Sequence, residues 1–499
     1  MPSLLTPIKK YPTVIGSFLG TSLMGFIYLV VNGLPRYFVG DDWLLLHASR
    51  SPSSGYASSL IGCLNDVGQG KWRPMFVCIV TPALKLFGDS YWCFFLLNLA
   101  MIFLVSLTAG NLLRRIVKLP EWIVSFCVFI VPFSRFTWYG RISPFGVMEF
   151  GALLFALLFA HQFMRALTRQ TKSSWYLAGG LASLSSLFHE RYLVLLGAGF
   201  LVSIFNMRNK RTPVPSAPWL LFLGWLLAIK ATFLGTDPLI GGGEVSFRSS
   251  ADTWILEHFV VGVKAIAGIG NGTIIFFNES GYWPLPDSGM FGEFWLVALL
   301  LIVLVISTLR TTLSSRDFYS KNDTSKEPVN QEIIACQLLL TSGLLLIIPA
   351  STVISRIEGR WLFGPEVFLF IFMIAVLRSH KWRFIFMSSL LLFNIICLKF
   401  LPEYEKYIRI PNQILEYVDE ELEGRTDLVY TVVGPVIPVG NYSVLEWPLG
   451  YDSKFKQIGV KSFLYVDSST CTKLNNYKKK TCVSLVFENT SPYSFVIEP

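Results

Sequence analysis

The segment RYFVGDDWLLLHASR (36–50) sets two adjacent aspartates, Asp41 and Asp42, and Trp43 directly behind the apolar run 12–34. Charge beside a bilayer costs free energy and is usually kept for use. Comparable groups recur along the chain. NDVGQGKWRP (65–74) holds Lys71, Trp72 and Arg73, and SRFTWYGRISPFGVMEF (134–150) holds Trp138, Tyr139, Arg141 and Glu149. FHERY (188–192) holds His189, Glu190 and Arg191, and SRIEGRWLFGPE (355–366) holds Arg356 and Arg360. A carboxylate can take the proton of a hydroxyl. Arginines beside aromatic rings suit an anionic head group. Each feature also has a plain structural reading. The aspartates can cap a helix or be solvated, HER can be a turn with an internal Arg–Glu pair, and Glu149 can pair with Arg135 or Arg141. Tryptophans mark bilayer interfaces without further duty.

The elements that must position these groups are membrane helices. Of 499 residues 53% are hydrophobic and 15% charged, with mean hydropathy +0.52, against about 25% charged in soluble domains. The first run follows Lys9 and Lys10, has no small-residue cleavage site, and reads as a retained anchor. The net charge of +9 is dispersed in short clusters between apolar runs. Such dispersal signals topology, whereas a nucleic-acid surface would gather the charge on one soluble face. Cys78, Cys93, Cys127, Cys336 and Cys397 lie in apolar runs and read as packing residues. No Cys or His cluster has metal-ligand spacing.

Apolar runs recur from 12–34 to 384–400, and six basic clusters between them go to the cytoplasmic side. An even number of crossings between clusters follows if 74–88 and 256–277 lie at the interface instead of crossing. The expected fold is therefore a polytopic α-helical membrane protein of about eleven transmembrane helices plus interfacial helices. The transmembrane domain covers 1–401, with a first outside loop over 35–90. Residues 402–499 change character: PNQILEYVDEELEGR reads as a helix, and DLVYTVVG, KSFLYVDS and CVSLVFEN as strands. This predicts a small soluble α/β domain on the outer side. An oxidising compartment there makes a Cys471–Cys482 disulfide plausible. With the N-terminus cytoplasmic, all the reactive segments above, together with GTDPLIGGGEVSFR (235–248), fall on one outer face.

A first helix followed by GDDW, a loop running into GKWRPMFVCIV, an outer HER and a late GRWLFGPE together resemble the GT-C superfamily of membrane glycosyltransferases, over essentially the whole chain. Within it the chain is most similar to bacterial or phage-borne O-antigen glucosyltransferases of the serotype-converting kind. The resemblance implies a polyprenyl-phosphate-linked sugar donor (undecaprenyl phosphate glucose in that group) and a lipopolysaccharide or other surface-glycan acceptor. It also implies inverting transfer in the periplasm at a bacterial inner membrane. Asp41 or Asp42 would be the catalytic base. Arg360, with Arg191, Lys71, Arg73 and Arg356, would hold the phosphate. Trp43, Trp72, Trp138, Tyr139 and Arg141 would line or support the substrate, with Glu149, His189 and Glu190 completing the site. No cofactor is fixed; a divalent cation fits members with pyrophosphate donors. HER departs from the family's commoner Lys-Glu form, and Pro74 stands alone where several families show a Pro pair or Gly-Arg-Pro.

Two other classes compete. An O-antigen polymerase or ligase would also work on lipid-linked sugars outside, but concentrates Arg and His in one large late loop. A transporter of lipid-linked or small substrates would place ionisable groups on broken helices near mid-membrane, commonly in repeated halves; no repeat is visible here.

Overall fold

The computed structural model describes residues 11–36, 72–88, 90–206, 213–234, 326–352 and 359–397, scattered helical positions at 42, 45, 46, 259, 262, 263 and 266, and strand residues between 429 and 498. Asp41, Trp43, Lys71, Arg356 and Cys471 lie outside the described residues, as do the side chains of Tyr139 and Cys482. The described part is mostly helical: α1 (Pro12–Asn32), α2 (Pro74–Phe87), α3 (Tyr91–Ile116), α4 (Glu121–Ile130), α5 (Trp138–Ile142), α6 (Phe145–Arg169), α7 (Lys172–Phe188), α8 (Val194–Phe205), α9 (Ala217–Leu234), α10 (Lys326–Thr352), α11 (Phe363–Val376) and α12 (His380–Cys397). Three-residue 3-10 turns at Val131–Phe133 and Arg135–Thr137 join α4 to α5, Glu190–Leu193 joins α7 to α8, and Gly359–Leu362 leads into α11. Among the described residues four segments are long and apolar enough to cross a membrane: Pro12–Val31, Tyr91–Ile116, Phe145–Arg169 and Gln331–Ile348.

The ends of these helices follow local chemistry. Pro12 and Pro74 occupy the first helical positions of α1 and α2, where the missing N–H costs nothing. Gly33 and Gly88, at φ 66° and 63°, close them in a conformation that a Cβ disfavours. α2 buries Phe76, Val77, Val80 and Leu84 along one side and exposes Ile79, Leu86 and Phe87.

α6 is the central column, packed between α3 and α7. Phe163 stacks on Trp219 at 5.6 Å and meets Trp175 edge-on at 5.1 Å, tying α6, α7 and α9 together. Trp219 is fully buried, and its indole N–H donates to Ser203 Oγ at 2.9 Å, so the core carries no unpaired indole there. α1 docks on α4 through Gly16 and Gly20, a small-xxx-small pair that lets backbones approach closely. A Cβ at Gly16 would stand 2.5 Å from the carbonyl oxygen of Ser125, and one at Gly20 would collide with that of Phe129.

Cys78 is disulfide-bonded. This corrects its reading as a packing residue; the apolar helix around it hid a covalent tie. Cys127 and Cys336 are buried free thiols. Near the C-terminus β1 (Val429–Val433) pairs in parallel with β4 (Cys482–Glu488), which pairs antiparallel with β5 (Ser494–Glu498). β2 (Pro438–Val439) and β3 (Tyr442–Ser443) form a separate antiparallel pair. The strands β1 and β4 fall within DLVYTVVG and CVSLVFEN.

Candidate functional site

The turn from α5 into α6 is a shelf for Asp42. Asn98, buried in α3, donates through Nδ2 to the carbonyls of Arg141 (3.1 Å) and Ser143 (2.9 Å) and so pins the turn. Gly146 makes it possible, because a Cβ there would collide with the carbonyl of Gly140 and approach Asn98 to 2.7 Å. Ser143 Oγ then accepts from the Phe145 N–H at 3.1 Å and donates to Asp42 Oδ1 at 2.6 Å. Tyr91 O–H donates to Asp42 Oδ2 at 3.3 Å. Asp42 is 2% exposed. Sequence alone left Asp41 and Asp42 equivalent; the described geometry concerns Asp42.

A cluster of charges lies where the N-terminus of α2, the α7–α8 turn, the start of α6 and the turn before α11 meet. Arg73 Nε donates to Glu190 Oε2 at 2.6 Å and Nη2 to Oε1 at 2.5 Å, a bidentate pair with side chains 14% and 22% exposed. Arg191 Nη2 donates to Glu149 Oε1 at 2.6 Å, with both side chains almost fully buried. His189 lies between the pairs, its Nδ1 3.3 Å from Glu190 and its Nε2 accepting from Arg191 Nε at 3.1 Å. Nδ1 also accepts from the Arg191 backbone N–H at 3.4 Å, capping the turn. Burial, then the neighbouring Arg191, push the His189 pKa well below its ordinary value, so the ring is neutral at pH 7. Burial works to raise Glu190, but Arg73 with its hydrogen bonds outweighs it and holds the carboxyl well below the usual range. Burial lowers Arg191, although Glu149 opposes it.

The GRWLFGPE segment closes the cluster. Arg360 lies 5.4 Å above the Phe145 ring, and the Arg191 guanidinium 4.7 Å above Trp361. Arg360 acts electrostatically on Arg73, His189 and Arg191, which places four groups of three segments in one field. Gly364 lets Tyr192 pass, since a Cβ would collide with its hydroxyl. Phe145 also stacks on Phe76 at 5.6 Å. Asp42 and Arg360 are thereby linked through two residues of one turn: Ser143 holds the carboxylate and Phe145 carries the guanidinium.

One expected pairing changes, and two other groups take definite places. Glu149 pairs with Arg191 and not with Arg135 or Arg141, because those arginines belong to separate sites. Arg141 is fully buried under its own loop, donating to the carbonyl of Pro132 and to Thr137 Oγ1, with its guanidinium 4.8 Å above Trp138. These bonds brace the loop. Trp138, 5.0 Å from the Tyr28 ring, and Trp72 are core residues at 1% and 6% exposure. Residues given no role from sequence emerge instead. Ser143, Tyr91 and Asn98 build the Asp42 shelf. Buried Glu366 accepts from Ser134 Oγ. Lys230, 3% exposed, acts electrostatically on Glu190. Its signal was a lone charge within an apolar run. Among the described residues no three His, Cys, Asp or Glu side chains come together as a metal-holding group.

No protein-family model matches the chain, nor does any curated protein or solved structure.

Proposed function

We propose that the chain is an inverting membrane glycosyltransferase of the GT-C type, moving a sugar from a polyprenyl-phosphate carrier to a hydroxyl of an O-antigen or another surface glycan. The observation that carries this reading is the turn that holds the Asp42 carboxylate on Ser143 and seats Arg360 on Phe145. It sets a base beside a field of cations. Asp42 takes the acceptor's hydroxyl proton as the oxygen attacks the anomeric carbon. The anomeric C–O bond to phosphate breaks on the opposite face, inverting the carbon, and its electron pair leaves on the phosphate oxygen. Arg360 and Arg191 stabilise that developing charge, with Arg73 held in place by Glu190. His189, neutral, keeps Glu190 and Arg191 in register. No described residue forms a covalent sugar intermediate in this scheme.

The reading takes about eleven helices, a cytoplasmic N-terminus and an outer C-terminal α/β domain over 402–499, with the site on the periplasmic face of a bacterial inner membrane. The disulfide at Cys78, one turn inside α2 from Arg73, supports an oxidising compartment on that side. The donor is a polyprenyl-phosphate-linked sugar, with glucose the first choice.

Surface-glycan analysis of cells carrying wild type or Asp42→Asn at equal expression tests the reading. A hexose added by wild type and lost in the variant is expected. A glycan modified equally by both would overturn the role of Asp42. Longer glycan chains in place of a side-chain sugar would point to a polymerase.

A further inference from the structure

α9 contains one charged residue, Lys230, in the sequence APWLLFLGWLLAIKATFL. The residue is 3% exposed. A lysine in such a helix is costly unless something receives its charge. Glu190 is the carboxylate it senses, together with Arg73. Yet both Glu190 oxygens are taken by Arg73, and Oε2 also faces His189 Nδ1. Among the described residues Lys230 has neither a hydrogen bond nor an ion pair within 4.0 Å. A buried ammonium with three donors thus lies within electrostatic reach of a carboxylate whose oxygens are already engaged.

We propose that Lys230 is a binding residue for a phosphate oxyanion, entering the cluster between α9 and the Arg73–Glu190 pair. Phosphate suits the surroundings better than a carboxylate. Its additional oxygens can meet a point-charge ammonium on one side and guanidinium groups on the other. The arriving oxyanion supplies the acceptors that the protein withholds from Lys230. The inference rests on the transferase reading only for naming the anion as the carrier lipid's phosphate; a free phosphate would satisfy the same chemistry.

The test is binding of undecaprenyl phosphate, and separately of inorganic phosphate, to the purified full chain in nanodiscs. Wild type, Lys230→Met and Lys230→Arg are compared by native mass spectrometry and thermal shift. Undecaprenyl phosphate is expected to bind wild type, at least about tenfold more weakly to Lys230→Met, and to Lys230→Arg within about threefold of wild type. Competition by inorganic phosphate at millimolar concentration would assign the site to free phosphate; its absence assigns it to the lipid. Without ligand, Lys230→Met should melt no lower than wild type, because an apolar isostere relieves a buried charge. A markedly lower melting point would make Lys230 structural and overturn the proposal. So would equal binding by wild type and Lys230→Met, or no binding by wild type. Retained Lys230-dependent binding without any sugar transfer would overturn the transferase reading and leave this site standing.

Discussion

Arg73 and Glu190 lie 117 positions apart and meet through two parallel hydrogen bonds of 2.6 and 2.5 Å. The pair clamps the start of α2 to the α7–α8 turn. Its fork geometry belongs to arginine and not to lysine. Arg73→Ala would leave Glu190 with only His189 and the electrostatic influence of Lys230 among the described residues, in a largely desolvated place. The expected cost is about 3 kcal/mol, at the low end for broken buried pairs because both side chains keep some solvent contact. Thermal melting in detergent should fall for Arg73→Ala and partly recover in Arg73→Ala/Glu190→Ala. A double variant no better than the single would mean that the pair is not what the first change breaks.

The Glu149–Arg191 pair is more deeply enclosed, at 5% and 6% side-chain exposure. Glu149→Gln leaves the Arg191 charge without its counter-ion, and an expected loss of about 3–5 kcal/mol follows. Glu149→Leu with Arg191→Met should lose much less stability, since an apolar pair removes both charges together. Comparing the two melting points isolates the unpaired charge. Equal losses would mean that packing volume dominates.

These two pairs mark the limit of what one sequence tells. Apolar runs located the helices closely, from 12–34 for α1 to 384–400 for α12, because burial in lipid or core demands long uncharged stretches. Dispersed basic clusters led to the expectation of one common side, and the structure brings Arg73, the HER segment and Trp361 into one cluster. Pairing was not legible. Nothing in spacing distinguishes Arg191 from Arg135 or Arg141 as the partner of Glu149; that choice depends on how α6 rotates against the α7–α8 turn. The fate of Trp138 was equally hidden, since tryptophan serves an interface, a sugar or a core with the same side chain. Cys78 shows the converse case, where an apolar context concealed a covalent bond.

Asp42 and Ser143 give a graded prediction. The 2.6 Å hydrogen bond from Ser143 orients the carboxylate, and under the proposed function that carboxylate takes the acceptor's proton. Asp42→Asn should lower the transfer rate by about 10²–10⁴-fold. Ser143→Ala should lower it by about tenfold, the worth of one hydrogen bond to a charged group at the lower end of its range. Single-turnover transfer with purified protein and lipid-linked sugar measures both. Ser143→Ala as damaging as Asp42→Asn would mean that the turn collapses, which the melting point of Ser143→Ala would reveal.

Gly20 tests the helix that leads to Asp42. Its Cα rests against the backbone of α4 at Phe129. Gly20→Leu must push α1 off α4 and carry the chain toward Asp42 with it. The expected result is a stability loss of about 1–3 kcal/mol from overpacking, with a larger fall in transfer activity than stability alone would give. Gly33→Ala changes the same helix at its far end, where a Cβ meets no atom within 4 Å but the φ of 66° disfavours it. Its loss should stay near 1 kcal/mol. Equal effects at both glycines would argue against close α1–α4 packing.

His189 sets the pH response. Its folded pKa lies well below 6.5, through burial first and then Arg191, so the folded chain resists the proton that the unfolded chain accepts. Glu149, Glu190, Arg73, Arg191 and Arg360 are the charged groups facing it. Above pH 6.5 neither state is protonated and the residue contributes no slope. Below it only the unfolded state gains the proton, and stability drops by about 1.4 kcal/mol per pH unit until the folded pKa is reached. Glu190, with its pKa also depressed, adds a second loss only below about pH 4.5, where its unfolded carboxyl begins to protonate. Melting temperature between pH 7.5 and 5 should therefore fall in wild type and flatten in His189→Gln, whose amide can keep one donor and one acceptor in the same place. A slope unchanged by His189→Gln would assign the pH sensitivity to another group and remove the neutral histidine from the cluster.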